Sequence, residues 1–401
     1  MTHAAPLRAP LAAMLSRAAA MGVALLLSAC GANLPGAGGL GGGERPQPQA
    51  PAASAIEPGK VRVGVILPLT AGGNAGIAGT SLKNAAEMAL AEFPNANVAL
   101  IIKDDRGTAD GAREAAQQAL AEGAEIILGP LLAPSVQAVG QVARAANKPV
   151  IAFSSNAAVA ARGVYLISFM PESDVDRIID FAASRGKRSI AAMIPNTEYG
   201  TVAMAAFQEA AAKRGVRVAA LERYSADKAS IDAAVKRIVA LGGQADALFI
   251  PDNGDGLPAV GQALAANGLD SKKIQMLGTG VWDDPRVYAV KALQGGWFAA
   301  PDKAGFSNFA GRYRTRYSAD PTRIATLAYD SVFLVNALSA KYGTQAFAEA
   351  TLTNPDGIVG TDGLFRFRSD GTNQRGLAVL QIGTNSATTI SAAPRAFSPG
   401  S

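Results

Sequence analysis

The sequence predicts an α/β protein built as two doubly wound parallel-sheet lobes. Three observations carry that expectation. Short β-branched runs alternate with Ala-rich amphipathic stretches from Val61 to Ala299, as in sheets covered by helices on both faces. The series is too long for one ordinary sheet, and 401 residues suffice for two or three domains. After residue 300 the rhythm breaks into two consecutive helices and then a strand pair.

Taken in order, the strand candidates are Val61–Leu67, Val98–Lys103, Glu125–Leu128, Pro149–Phe153 and Val164–Phe169. Ser189–Ile194, Val216–Arg223, Ala247–Ile250, Ile274–Leu277 and Gly296–Ala299 continue the set. Apolar residues at helical spacing predict helices over Leu82–Glu92, Asp110–Glu122, Ser135–Ala146, Asp174–Ser184, Thr201–Arg214, Ser230–Leu241 and Leu257–Asn267. Asn308–Tyr317 and Ile324–Lys341 then read as adjacent helices. Gly363–Arg368 and Gly376–Ile382 read as an antiparallel pair joined through Ser369-Asp370-Gly371, because Asp-Gly is a turn signal. Residues 384–401 read as a loose tail.

Composition narrows function before any motif is read. The chain has one His, His3, and one Cys, Cys30. Residues 1–29 carry Arg8 and Arg17, no acid, and an apolar run from Met21 to Ala29, which reads as an export signal. About 20 apolar residues would be needed to span a bilayer. Without that segment there is no histidine, so Ser-His-Asp and Cys-His catalysis, His- or Cys-ligated zinc, haem and iron–sulfur chemistry are excluded. No disulfide can form. Formal charge falls from +5 to +3 with the loss of Arg8 and Arg17, too mild for a nucleic-acid partner. Neither a metal nor a cofactor is expected, and the chain is read as a non-enzyme.

The export segment ends Leu27-Ser28-Ala29-Cys30-Gly31 and resembles a bacterial lipoprotein signal, which implies lipidation at Cys30. Several acyl chains at one residue anchor stably, whereas one binds only marginally. Residues 30–59 are rich in Gly, Pro, Ala and Gln and read as a disordered tether.

Ligands of open α/β sheets bind beyond the carboxyl ends of the strands. Those ends carry small and polar residues here: Leu69–Gly79 (LTAGGNAGIAG), Gly129–Ser135 (GPLLAPS) and Ser154-Ser155-Asn156, followed by Asn196–Gly200, Asp252–Asp255 and Thr279–Asp284 (TGVWDD). Hydroxyls, amides and helix N-termini suit an uncharged or zwitterionic solute.

These residues carry a family resemblance. Val61–Ala91 (VRVGVILPLTAGGNAGIAGTSLKNAAEMALA) resembles the opening strand, glycine loop and first helix of type I periplasmic binding proteins of the Leu/Ile/Val-binding type. Lys103-Asp104-Asp105, Ile127-Leu128-Gly129-Pro130, Pro149–Asn156, Glu198-Tyr199-Gly200 and Gly360–Gly371 (GTDGLFRFRSDG) follow in the family's order. The resemblance implies two lobes joined by three crossovers near Met170, Ala300 and Leu352. It divides the chain into a first lobe of 60–169 plus 301–352 and a second of 170–300 plus 353–383. It also implies that Ser135 and Ser155 match carboxylate-binding positions, with Asn156 where the family has Thr, and that Tyr199 matches a second-lobe aromatic. The family's ammonium-binding acid, expected near Gly280-Val281, is absent, with Trp282 and Asp283 nearest, and a Tyr expected near Asn253 is missing. The candidate ligand contacts are therefore Ser135, Ser154, Ser155 and Asn156 from the first lobe, answered by Tyr199, Asp252 and Trp282 from the second.

Other motifs carry less. Gly73, Gly76 and Gly79 give GxxGxxG rather than the dinucleotide GxGxxG. Ser184-x-x-Lys187 and Ser225-x-x-Lys228 lack the partner motifs of Ser-Lys acylases. Asp283-Asp284-Pro285 reads as a helix start with Asp284 as N-cap and Pro285 at the first helical position. The expectation is an exported, lipid-anchored solute-binding protein on the periplasmic face that closes on a small polar solute, such as an amino acid, and serves the membrane permease of an ABC transporter. The alternative is an outer-membrane lipoprotein that activates penicillin-binding proteins. There the same fold would act as a scaffold for a cell-wall synthase, with Gly31 after Cys30 implying the outer membrane in a Gram-negative source.

Overall fold

The computed structural model describes residues 59–269 and 273–397. The expected export segment, the expected lipidation site Cys30 and most of the expected tether lie outside the described residues. The described residues belong to one compact unit. Among the described residues no helix is long and apolar enough to cross a membrane.

The first lobe opens with β1 (Val61–Leu67), α1 (Gly73–Ala91), β2 (Val98–Asp104), α2 (Ala109–Ala121), β3 (Ile126–Leu128), α3 (Ala133–Ala145), β4 (Val150–Ala152) and β5 (Val164–Leu166). The second follows with α4 (Pro171–Ser184), β6 (Ser189–Pro195), α5 (Glu198–Lys213), β7 (Arg217–Tyr224), α6 (Lys228–Val239), β8 (Ala247–Phe249), α7 (Leu257–Ala266), β9 (Gln275–Gly278), α8 (Pro285–Tyr288) and β10 (Trp297–Ala300). The first sheet is parallel with order β2-β1-β3-β4-β5. The strands of the second repeat that order as β7-β6-β8-β9-β10. Each sheet thus has its topological switch point beside its own first strand.

Alternation along each strand explains the two-faced burial. Val63, Val65 and Leu67 face one core, which α1 and the later helices α9 (Lys303–Tyr317) and α10 (Ala325–Tyr342) complete. Ile66 faces the other, with Ile127, Val150 and the alanines of α2 and α3. In the second sheet Ala191 and Met193 pack with α6 and α7, while Ile190, Ala192 and Ile194 pack with α4 and α5. Every strand and helix of the alternating series lies within a few residues of its expected place, with one large exception. Helix α1 begins at Gly73, nine residues before the expected Leu82. Gly76 and Gly79 are there for closeness rather than for a loop. A Cβ on Gly76 would stand 2.0 Å from the Ala71 carbonyl oxygen, and one on Gly79 2.7 Å from that of Pro68.

The end of the chain departs further from expectation. After α10 come α11 (Glu349–Leu352), β11 (Ile358–Gly360), β12 (Gly363–Phe367) and β13 (Asn373–Arg375), which form a separate antiparallel sheet. The Asp370-Gly371 turn therefore joins β12 to β13, not to the strand that follows. Phe365 and Phe367, two apart on one face of β12, enter the first lobe's core, with Phe367 5.4 Å from Tyr165. The chain enters the second lobe after β13, beyond the expected crossover near Leu352. β14 (Ala378–Ile382) then pairs antiparallel with β10, and β15 (Ala387–Ser391) pairs with β14 at the sheet edge. The expected loose tail is in part a strand, because Ala387 and Ile390 pack against the second lobe's apolar layers.

Candidate functional site

The strand-end loops of the two lobes are held in different ways. In the first lobe β4 leads through Phe153 into Ser154, Ser155 and Asn156. Ser154 is buried, and its Oγ accepts from the Asn156 amide at 3.3 Å; Ser155 is exposed. Asn156 caps the 3-10 turn Ala157–Val159 by accepting the Ala158 N–H at 2.9 Å. Its amide nitrogen is then turned outward and donates to Glu198 Oε1 at 3.3 Å. Glu198 is the first residue of α5, so this bond joins a first-lobe loop to a second-lobe helix N-terminus. Ser135 sits differently. It is fully buried in the first turn of α3, its hydroxyl donating to the Thr108 carbonyl at 3.4 Å beside the enclosed Asp105. It braces the wall rather than offering a hydroxyl to a solute.

In the second lobe Thr197 caps α5 by accepting the Gly200 N–H at 3.0 Å. The Tyr199 hydroxyl shares a 2.7 Å hydrogen bond with Thr279, which is fully buried, and burial pushes the Tyr199 hydroxyl pKa upward. Asp252 accepts the Tyr224 hydroxyl at 2.6 Å on one oxygen and the Asn253 N–H at 2.8 Å on the other. It is a loop builder with both oxygens engaged. Trp282 is 0% exposed. Its indole N–H donates to the Ile250 carbonyl at 3.0 Å, and a Cβ on Gly278 would fall 2.0 Å from the ring. The expected ligand contact at Trp282 is thus a core residue that fixes the loop from behind: a large apolar side chain following a buried strand turns inward. Asp283 is occupied as well, by Lys303 Nζ at 2.8 Å and by the Tyr288 hydroxyl. Asp284 caps α8 with Pro285 following, as expected.

One residue of this region escaped the sequence reading. Asp174, in the first turn of α4, accepts the Gly280 N–H at 2.9 Å. It brings a buried carboxylate to the loop where the family's acid is missing. Burial raises its pKa to about 7, opposed by the Gly280 N–H and by the charges of Arg375 and Arg323. An acid in the first turn of a helix is ordinary in sequence, where it complements the helix dipole, so only the fold reveals its reach. Among the described residues no cluster of three or more His, Cys, Asp or Glu could hold a metal ion.

A family model described as "Periplasmic binding protein" matches residues 60–387. No curated protein matches the sequence at a significant level. Solved structures share the fold. A Rhodospirillum rubrum protein assigned as a branched-chain amino acid ABC transporter superposes with a TM-score of 0.74 at 20% identity, covering 82% of this chain and 100% of that one. The substrate-binding protein LivJ of Streptococcus pneumoniae, in complex with isoleucine, gives 0.59 at 16% identity over 84% and 100% of the two chains. A solute-binding protein of an ABC transporter from Rhodopseudomonas palustris, in complex with 3,4-dihydroxybenzoic acid, gives 0.59 at 20% identity over 83% and 96%.

Proposed function

Because the chain belongs to the periplasmic binding protein family, we propose that it is an extracytoplasmic, lipid-anchored solute-binding protein that closes its two lobes on a small polar ligand and delivers it to an ABC transporter. One observation supports this above the others. The Asn156–Glu198 hydrogen bond joins the strand-end loops of the two lobes, which is what closure around a solute requires. Ser154, Ser155 and Asn156 on one side, with Tyr199 and the N-terminus of α5 on the other, are the proposed contacts. Ser135, Asp252 and Trp282 hold those loops in place from behind. Lipid at Cys30 is expected to tether the chain to its membrane, and Cys30→Ser should release it into the soluble envelope fraction.

Hydroxyls and helix-terminal N–H groups suit a carboxylate, which isoleucine and 3,4-dihydroxybenzoic acid share. They differ in the ammonium, which is expensive to bury without an acid. Asp252 and Asp283 are engaged within the protein, so Asp174 behind Gly280 is the acid proposed to receive it. Calorimetry and thermal shift with leucine, isoleucine, benzoate and 3,4-dihydroxybenzoate test the reading. One class should bind, and Ser155→Ala and Tyr199→Phe should weaken it. If amino acids bind, Asp174→Asn should abolish their binding; if benzoates bind, it should spare them. Binding by none of the four would overturn the transport reading. The engagement of Asp252 and Asp283 equally suits the second reading, a scaffold that activates a penicillin-binding protein. Capture of such a synthase from envelope extracts, with no solute bound, would decide for it.

A further inference from the structure

Two arginines of the first lobe, Arg323 and Arg375, tie the three crossovers together. The first crossover leaves β5 through Ile167, Ser168 and Phe169 and enters α4 at Met170. Arg375, at the end of β13 and buried, donates from Nε to the Ser168 carbonyl at 3.3 Å and from Nη2 to that of Ile167. Asn373 adds bonds from Nδ2 to the Leu166 and Ser168 carbonyls, each at 2.7 Å. Both guanidinia then meet the Phe169 ring, Arg323 at 4.6 Å and Arg375 at 4.7 Å from its centroid.

The second crossover runs through Pro301 to Asp302, the N-cap of α9, and Phe306 in that helix's first turn also lies 4.6 Å from Arg323. Arg323 is fixed in turn by a fork on the buried Asp362, at 2.7 and 3.1 Å, to which Thr326 donates as well. The third crossover starts at Arg375 itself. It passes Gly376 and reaches Leu377, whose carbonyl accepts Arg177 Nε of α4 at 2.9 Å. Arg375 faces Asp362 and Asp330 of its own lobe and Asp174 of the other. Each crossover is thus held up to its last first-lobe residue. Little chain is left to bend: the Phe169–Met170 peptide, Pro301 and Gly376.

We propose that Arg323 and Arg375 are positioning residues for lobe closure, splinting the crossovers so that the lobes rest at the spacing where Asn156 reaches Glu198. Without the splint the hinge is freer, and apparent affinity falls with the fraction of chains that leave the binding-competent form. The function of the splint rests on the reading that the lobes close on a solute.

The test is small-angle scattering of the full chain without added solute, beside urea denaturation to show that each variant is folded. Phe169→Leu removes the ring and keeps an apolar side chain. Arg323→Met combined with Asp362→Asn removes the fork without leaving a buried carboxylate unpaired. Both should shift to a larger radius of gyration than the wild type, whereas Phe169→Tyr, which restores the ring, should scatter as the wild type does. Side chains that merely support the first lobe would lower the urea midpoint and leave the radius unchanged. Two results overturn the proposal: either folded variant scattering like the wild type, or Phe169→Tyr opening as far as Phe169→Leu. If the double variant does not fold, Phe169→Leu decides, since Phe169 is only half-buried at the edge of the core. Failure of all four solutes to bind would overturn the transport reading and leave this result standing, because no solute enters the measurement.

Discussion

The two lobes share one strand order, but the Ser154–Asn156 loop of the first is held differently from the loops of the second. In the second lobe each loop is anchored to a distant partner in the interior: Trp282 to Ile250, Asp252 to Tyr224, Tyr199 to Thr279, and Gly280 to Asp174. In the first lobe Ser154 and Asn156 are held by bonds to residues two positions away, and Ser155 stands exposed. Long-range buried ties fix a surface in advance, whereas local turns leave it adjustable. The contrast points to a preformed face on the second lobe, met by one compliant loop, Ser154–Asn156, on the first.

The strongest way to break that contrast is Trp282→Ala. Removing a fully enclosed indole should cost about 3–5 kcal/mol, and more than an ordinary core deletion, since Gly278 offers no side chain to collapse into the space. Urea denaturation should show the second lobe unfolding first, while Ser155→Ala leaves the curve in place. A wild-type-like curve for Trp282→Ala would show that the second-lobe loops do not depend on their interior anchors. Next comes Tyr224→Phe, which strips the hydroxyl from Asp252 and should cost about 1.5–3 kcal/mol as a hydrogen bond to a charged group. The same denaturation series reads it.

Acid titration sharpens the comparison further. Burial holds the Asp174 carboxyl at about 7 in the folded chain, against 3.8 when unperturbed. The folded state therefore binds that proton more tightly than the unfolded one, and its contribution to stability falls as pH rises from about 4 to about 7. Asp330 in the first lobe, on α10 and bonded to Thr361, has the same sign with its folded pKa near 6. Asp174→Asn should flatten the pH dependence of the melting temperature up to pH 7, and Asp330→Asn only up to about pH 6. If the two variants flatten the same window, the assigned difference between them is wrong. The smallest effect is expected for Asn156→Ala. Loss of its cap on the Ala157–Val159 turn should cost about 1 kcal/mol, and loss of the bond to Glu198 should shift the ligand-free chain toward more open forms in small-angle scattering.

Much of the fold was legible because strand and helix periods alternate cleanly from Val61 to Ala299. Where they did not, packing decided. The glycines ahead of Leu82 weaken any local helical signal, and the close approach of α1 to Ala71 and Pro68 explains Gly76 and Gly79. The hairpin around Phe365 and Phe367 looks the same in sequence whichever lobe it joins, and the first lobe's core claims it. The site was half legible for a similar reason. Position along the chain puts Ser135, Asp252 and Trp282 at strand ends, but it does not say which way a side chain turns. Asp174 was hidden by the reverse effect, lying far from Gly280 in sequence and beside it in space.

The late pairing of β14 with β10 has a consequence for how the chain is made. Trp297–Ala300 must wait for Ala378–Ile382 before that edge of the sheet is covered. The intervening stretch belongs to the first lobe, so on a ribosome the first lobe can finish while the second still carries an open edge. Non-local strand pairing of this kind is slow and leaves unpaired backbone available to other chains in the meantime. Truncation just before Ala378 should therefore yield a protein that aggregates during synthesis, although every strand of the parallel series is present.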